Sequence, residues 1–459
     1  MSKNVDIIEL SKVNPKKTIN KFLIPNIAST LIIYLNIIVD SFWVSGLSSD
    51  ALTAIGLVSP IYVIIIGLGG GFGSGINSVM SRFKSAGKNE DANNTIIHTI
   101  VLAMISYFIM FFIGKFFVDD LIVLVGGESV LPLCRAYIQP ALILSIFLMT
   151  PDINAGLYRA IGDIKRSSNS FIVIAIFNII LDPIFIYVLN FGISGAIYAT
   201  ILSSILGLIY MNIGQDFRKD IILPVKHPHY KLQPKLFKEL LIVSIPVTLN
   251  DVAHSIFSIS VNYLIIFTAG VGEIASFVIV KQLIRFVYAP SYAIGSIIIT
   301  VTGATYASKI WDKLEEGINY ATIVGLGITV IIALIFFIFP HQFCGIYGLT
   351  LSDTNVIDRA AEILMIMVFF NLLAPLQVMA VRSFQGMGKG LISLVLSIFS
   401  EAILPLLVAY LLGIILTIGI FGVYSGIVIG YSLAAILCFI LIKFYIRRCR
   451  NKSETVVSS

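Results

Sequence analysis

"NIILDPIFIY", residues 178–187, places an aspartate in the middle of an apolar run. The run extends from 167 to 189, which is long enough for one helix to cross a bilayer, because about 20 mostly apolar residues span the hydrocarbon core. An ionised carboxylate is costly in such a helix and marks a functional site by default. The stretch therefore predicts a membrane helix in which Asp182 has a specific task.

The rest of the chain repeats this pattern. Of its 459 residues, 58% are hydrophobic and only 12% are charged, and the mean hydropathy is +0.97, values typical of a polytopic membrane protein. The apolar runs are continuous rather than alternating, which predicts helices. Twelve such segments, numbered here as spans 1 to 12, lie at 21–46, 51–80, 94–114, 131–157, 167–189, 193–213, 240–269, 274–307, 319–340, 357–384, 390–412 and 422–446.

The distribution of basic residues predicts the orientation of these spans. Twenty-six of the 31 Lys and Arg residues fall in the two termini and in alternate loops, which all lie on one side if there are twelve spans. Positive charge favours the cytoplasmic side, so we expect both termini to be cytoplasmic in a multi-pass protein of the cell membrane. The basic surplus is thus a topology signal, and no nucleic-acid partner is predicted.

The two halves of the chain resemble each other weakly. Pro25 in "KFLIPNIAST" matches Pro246 in "LLIVSIPVTLN", and "FGISGAIYATILS" is echoed by "FGVYSGIVIGYSL". Six spans in each half predict two lobes with the same orientation, related by pseudo-two-fold symmetry along the membrane normal, an arrangement typical of transporters. The predicted organisation is a cytoplasmic segment 1–20, an N-lobe 21–213, a linker 214–239, a C-lobe 240–446 and a cytoplasmic tail 447–459.

Asp40 and Asp182 lie inside spans of the N-lobe. Asp40 on span 1 follows Asn36 by four residues, and Asp182 on span 5 follows Asn178 by four, so each amide shares a helix face with its acid. Pro183 removes a backbone N–H and is expected to open span 5 locally. Oxygen ligands with a group whose charge can change suit a proton relay or a Na⁺ site. A structural hydrogen-bonding role is the alternative for both acids.

Five stretches carry a resemblance to a known family. They are "VDSFWVSGLSSDALTAIGL" (39–57), "SRFKSAGKNEDA" (81–92), "YRAIGDIK" (158–165), "NIILDP" (178–183) and "GISGAIYATILS" (192–203). With the duplicated twelve-span layout, the chain resembles the multidrug and toxic compound extrusion (MATE) family, and within it the DinF-like branch. The resemblance implies a cation-coupling group of Asp40, Asn178, Asp182 and Thr200, which would also be the metal ligands if the ion is Na⁺. A second branch of the family carries acids on spans 7 and 10, where this chain has His254 and Ala374.

The resemblance also implies a function. We expect a secondary multidrug antiporter that exports amphipathic, cationic compounds against entry of H⁺ or Na⁺, with no cofactor beyond the coupling ion. The expected partners are such small molecules and membrane lipids, with no obligate protein partner. A lipid-linked saccharide flippase of related architecture is the alternative, and it would need more cationic side chains in its cavity. No catalytic cluster or nucleotide-binding motif suggests an enzyme or an ATP-driven pump.

The remaining intramembrane polar residues form a second group. Asn36, Asn154, Lys281, Arg285 and Glu401 are predicted to line the substrate cavity. Buried charges are usually paired, so an ion pair among Lys281, Arg285 and Glu401 is expected, and Lys281 with Glu401 is one such pair. The alternative is a role in substrate choice, which would admit anionic or zwitterionic substrates. We expect Asp50 and Glu273 to be solvated loop acids. The glycine-rich stretch "GLGGGFGSGINS" (67–78) lies inside span 2, which predicts close helix packing or a hinge rather than a nucleotide loop.

Overall fold

The computed structural model describes residues 12–85, 88–161, 163–213 and 233–458, and every regular element among them is helical. The predicted all-α polytopic class is confirmed. Most of the predicted linker and the first eleven residues of the N-terminal segment lie outside the described residues.

Each predicted span corresponds to a helix or to a group of consecutive helices. Spans 1 to 6 are Pro15–Ser45, Ser49–Ser85, Asn89–Phe116, Leu131–Ile143 with Ser145–Ile161, Ile164–Pro183 with Ile184–Val188, and Ile193–Asn212. Spans 7 to 9 are Pro234–Ala269, Glu273–Ala307 and Trp311–Ile338. Span 10 is Thr354–Met367, Val368–Asn371 and Ala374–Gly386. Span 11 runs from Gly390–Ile398 through Phe399–Ile403 and Leu404–Tyr410 to Leu411–Ile415, and span 12 is Ile420–Ser458. Short helices at Val118–Leu124, Glu128–Val130, Pro340–Gly345 and Ile346–Leu349 lie between spans.

Length and composition make these helices suitable for crossing a bilayer. Nine single helices and two bent pairs, spans 4 and 10, are long and apolar enough among the residues searched. The 31-residue helix Pro15–Ser45 also exceeds the length that a bilayer core requires. Together they match the twelve predicted spans. Large apolar side chains such as Phe108, Phe112 and Ile323 are exposed along them, as expected of surfaces that face lipid.

Irregularities recur at corresponding spans of the two halves. Span 4 bends by 52° and span 10 by 44° at a short break. Span 5 contains a π-helical turn at Ile184–Val188, and span 11 contains π-helical turns at Phe399–Ile403 and Leu411–Ile415. The first of these turns begins directly after Pro183, which confirms the expected local opening, since proline cannot donate a backbone hydrogen bond. Such turns often lie at functional sites.

Contacts divide the chain into two units. The terminal unit comprises Met1–Ile38 and Leu264–Ser459, and the central unit comprises Val39–Tyr263. Span 1 is therefore shared, and its last residues, including Asp40, belong to the central unit. These units are a different partition from the lobes and linker predicted from the sequence, which remain a prediction.

Glycines allow close helix contacts inside the central unit. A Cβ on Gly156 of span 4 would lie 2.1 Å from the carbonyl oxygen of Gly73 on span 2, and a Cβ on Gly73 would lie 2.3 Å from the carbonyl oxygen of Asp152. A Cβ on Gly71 would lie 2.2 Å from Oγ1 of Thr248 on span 7. The glycine-rich stretch of span 2 thus serves close helix packing, one of the two predicted roles.

Candidate cation-coupling site

The candidate site is built on the facing sides of spans 5 and 6. Asn178 Nδ2 donates a hydrogen bond to Asp182 Oδ1 over 3.0 Å and lies 3.4 Å from Thr200 Oγ1. The first contact follows from the four-residue spacing on one helix. Asp182 is 1% exposed and Asn178 is 2% exposed, so the carboxyl group is enclosed by protein.

Asp40 completes this group from the end of span 1. Its carboxyl group lies within hydrogen-bonding reach of the carboxyl group of Asp182, and the two groups interact electrostatically. Asp40 Oδ1 and Asp182 Oδ2 are buried, and neither oxygen accepts a hydrogen bond from the described residues. The structure thus brings together all four residues that the family resemblance implied: Asp40, Asn178, Asp182 and Thr200.

A tyrosine next to the site ties span 5 to span 1. The hydroxyl of Tyr187 donates a hydrogen bond to the backbone carbonyl of Trp43, and the two rings pack edge to face with their centroids 6.2 Å apart. Trp43 is three residues from Asp40, and Tyr187 is five from Asp182. This contact therefore fixes the two helix segments that carry the acids against each other.

Two further tyrosines border the acids. Tyr62 of span 2 and Tyr137 of span 4 interact electrostatically with both Asp40 and Asp182, and their rings are 6.4 Å apart. Sequence reasoning missed these residues and Tyr187. The available signal was weak, because a tyrosine in an apolar span is as common in lipid-facing belts as in a site.

The chemistry of the site is that of a cation binder with variable charge. Two carboxylates in contact repel each other when both are ionised, and a proton or a cation between them removes the repulsion. Carboxylate, amide and hydroxyl oxygens are also the hard ligands that Na⁺ takes. Among the described residues, no group of three or more His, Cys, Asp or Glu side chains is placed to hold a metal ion.

The residues predicted to line the substrate cavity are more dispersed. Asn154 is half-buried in the central unit, whereas Lys281, Arg285 and Glu401 lie half-buried in the terminal unit. The side chain of Asn36 lies outside the described part of the structure.

Glu401 accepts a hydrogen bond from span 10. Its Oε1 accepts a hydrogen bond of 2.7 Å from Nε2 of Gln377. The expected ion pair of Glu401 with Lys281 stays a prediction. The hydroxyl of Tyr431 donates a hydrogen bond of 3.2 Å to Oε1 of Gln377. The Glu401 carboxylate therefore belongs to a hydrogen-bond network that joins spans 10, 11 and 12.

The two predicted loop acids differ. Asp50 is exposed, as expected. Glu273 was expected to be solvated, but its side chain is only 10% exposed and accepts hydrogen bonds of 2.9 and 3.2 Å from Arg359 Nε. Tyr424 donates a third over 3.2 Å. The expectation for Glu273 is wrong because its partners come from distant spans, which hydropathy does not show.

The sequence model of the MatE family matches residues 25–184 and again residues 246–411. The chain belongs to the MatE family. The two matched segments begin at Pro25 and Pro246, the prolines that the internal repeat aligns, so the MatE match itself shows the duplication.

Relatives and solved structures of MatE type cover nearly the whole chain. The chain is 22% identical over 448 residues to the multidrug export protein MepA of Staphylococcus aureus, covering 96% of this chain and 95% of MepA. It is 23% identical over 334 residues to the probable multidrug resistance protein YoeA of Bacillus subtilis, covering 71% of each.

Two solved structures are similar as well. One is described as the inward-facing conformation of a multidrug resistance MATE family transporter, with 27% identity, a TM-score of 0.85 and coverage of 93% of this chain and 96% of that chain. The other is a transporter of the MOP superfamily from Pyrococcus furiosus, with 28% identity, a TM-score of 0.77 and coverage of 98% and 99%. Its description says that reverse polarity of its binding pocket suggests a different function. Similarity at this level therefore leaves the substrate of a MatE protein to be argued from its own residues.

Proposed function

We propose that this chain is a secondary active transporter that exports amphipathic organic compounds in exchange for entry of H⁺ or Na⁺. The observation that carries the proposal is the direct interaction of the Asp40 and Asp182 carboxyl groups inside the central unit. The names of the relatives support the direction of transport, since MepA is a multidrug export protein.

The coupling chemistry follows from charge. With both carboxyl groups ionised, the pair carries two negative charges that are enclosed by protein, which is unfavourable. Binding of one cation relieves this repulsion. The pair therefore has two states, which differ in net charge and in how closely the two carboxyl groups can approach each other. Thr200 supplies a hydroxyl oxygen beside the pair, and Asn178 donates a hydrogen bond that holds the Asp182 carboxylate in place.

Coupling requires that the cation-bound and cation-free states favour different conformations. Span 1 is suited to this task because it carries Asp40 at its end in the central unit, while its residues up to Ile38 belong to the terminal unit. A change in the Asp40–Asp182 contact therefore acts on a helix that both units share. Typical substrates of the resembled family are amphipathic and cationic, which is the expectation for this chain. Placement in the cell membrane with cytoplasmic termini rests on the basic loops.

Reconstitution into liposomes tests the proposal. A pH gradient and a Na⁺ gradient are imposed separately while efflux of a fluorescent amphipathic cation is followed. Wild-type protein should respond to one of the gradients, and Asp40→Asn and Asp182→Asn should each abolish that response. Asp50→Asn, which changes an exposed acid, is the matched control and should transport normally. Thermal unfolding of all variants verifies that they fold. Wild-type rates in both Asp40→Asn and Asp182→Asn would overturn the proposed coupling site.

A further inference from the structure

A polar stripe runs along span 8 in the terminal unit. Lys281, Arg285, Tyr288 and Tyr292 follow one another at spacings of four, three and four residues, which places them on one face of the helix Glu273–Ala307. The first three are half-buried, and Tyr292 is 41% exposed. The stripe is therefore accessible, although most of the remaining helix is buried and apolar.

A third cation joins this stripe from span 10. The guanidinium of Arg382 lies over the ring of Tyr292, 4.6 Å from its centroid, and donates a hydrogen bond of 3.0 Å to Gln385. Tyr34 of span 1 interacts electrostatically with both Arg285 and Arg382. Three spans of the terminal unit thus converge on one set of basic and phenolic groups.

Positive charge exceeds negative charge in this region. Tyr34, Tyr288 and Arg382 each interact electrostatically with the carboxylate of Glu401. This carboxylate also accepts a hydrogen bond from Gln377. Arg285 and Arg382 form no ion pair within the described part of the chain. Cations inside membrane spans are costly unless an anion compensates them. An anionic ligand that reaches this face would therefore be stabilised.

The side chains indicate what kind of anion fits. A guanidinium presents a planar fork of donors that matches a carboxylate or a phosphate, and an ammonium adds a point charge. Tyr34, Tyr288 and Tyr292 add hydroxyl donors and aromatic faces, which suit the apolar body of an amphiphile.

We propose that Arg285 and Arg382 form a subsite for the carboxylate or phosphate group of an amphipathic substrate. The substrates then include zwitterionic and anionic amphiphiles, not cations alone. This inference rests on the proposed export function, because it names a substrate class for it.

A matched pair of dyes tests the subsite. A rhodamine with a free carboxyl group and its methyl ester share one aromatic cation and differ only in the anionic group. Binding to purified protein in detergent is measured by fluorescence polarisation without any ion gradient. Wild-type protein should bind the acid about tenfold more tightly than the ester, the size expected for charge-assisted hydrogen bonds.

The variants separate an anion site from a structural role. Arg285→Gln and Arg382→Gln should each weaken binding of the acid about tenfold while leaving the ester unchanged. Arg285→Lys should retain part of the preference. Lys389→Gln, which changes an exposed cation beyond span 10, is the control and should behave as wild type. Equal binding of the two dyes to wild-type protein, or an equal loss of both in the arginine variants, would overturn the subsite.

Two further measurements distinguish the subsite from ion coupling and from nonspecific displacement by lipid. Asp40→Asn and Asp182→Asn should keep the preference for the acid, so a failure of ion coupling leaves the subsite intact. Phosphatidylglycerol, an amphiphile that carries a phosphate group, is added to the detergent, and it should displace the acid from wild-type protein. If it displaces the methyl ester from wild-type protein as readily as the acid, the displacement does not depend on the anionic group and the subsite is wrong.

Discussion

Asp182 receives a hydrogen bond from Asn178 on its own helix and interacts with the carboxyl group of Asp40 from another. The amide favours an ionised carboxylate, whereas the second acid opposes it. These opposed influences make the charge of the pair sensitive to a bound cation, and the proposed coupling depends on this sensitivity.

The amide contact predicts a pH-dependent stability difference. Asn178→Ala removes a donor from a buried carboxylate, which should cost about 1–3 kcal/mol where the acid is ionised. The cost should shrink at low pH, because a protonated carboxyl group needs this donor less. Thermal unfolding of wild type and variant at pH 5 and at pH 8 measures the difference, which should be larger at pH 8.

A control is available on the same pair of spans. Asn169 lies 3.5 Å from the neutral hydroxyl of Tyr210, so Asn169→Ala should show a cost that does not change between pH 5 and pH 8. If the cost of Asn178→Ala is also the same at pH 5 and pH 8, the hydrogen bond from Asn178 does not stabilise an ionised Asp182, and the prediction is wrong.

The glycine contacts predict a second set of stability effects. Gly156→Ala and Gly73→Ala each place a methyl group against the backbone of the neighbouring span, at 2.1 and 2.3 Å from a carbonyl oxygen. Backbone cannot move aside as a flexible side chain can, so each change should destabilise the protein by about 1–3 kcal/mol or more. Gly70→Ala is the matched control on span 2, because a Cβ there meets nothing within 4 Å. It should be neutral or slightly stabilising, since alanine favours helices. Equal behaviour of Gly70→Ala and Gly73→Ala in thermal unfolding would contradict the tight contact.

The Glu273 network predicts an asymmetry between its two partners. Arg359 also pairs with Glu362, 2.6 Å away, whereas Glu273 is only 10% exposed and keeps Tyr424 alone if Arg359 is removed. Arg359→Met should therefore cost more stability than Glu273→Gln, because it leaves a poorly solvated carboxylate. The double variant should be less destabilised than the sum of the two by about 0.5–3 kcal/mol.

An exposed pair provides the comparison for this network. Arg135 and Asp119 lie 3.2 Å apart with side chains 47% and 48% exposed, so Arg135→Met should change stability by less than about 1 kcal/mol. Additive effects of Arg359→Met and Glu273→Gln in denaturation would show that the buried pair contributes no coupling.

How much the sequence predicts differs between local and distant relationships. Hydropathy predicts all twelve spans because each is a local property, and the spacing of Asn178 and Asp182 predicts their contact because one helix fixes it. Pro183 likewise marks the π-helical turn that follows it. The burial of Glu273 by Arg359, the packing of Arg382 on Tyr292 and the contact of Tyr187 with Trp43 join distant segments. Tertiary packing alone decides them, so neither composition nor periodicity carries a signal for them.

The central claim is that the Asp40–Asp182 pair holds a cation whose binding is linked to that of the substrate. Such linkage is reciprocal, so a transported substrate must change cation binding by the same factor as the cation changes substrate binding. The direct measurement adds the fluorescent substrate to purified protein in weak buffer, and records release of H⁺ with a pH indicator and of bound radiolabelled Na⁺ in parallel. Wild type and Asp50→Asn should release one of the two ions on substrate binding, and Asp40→Asn and Asp182→Asn should release neither. Undiminished release from both Asp40→Asn and Asp182→Asn would contradict the account.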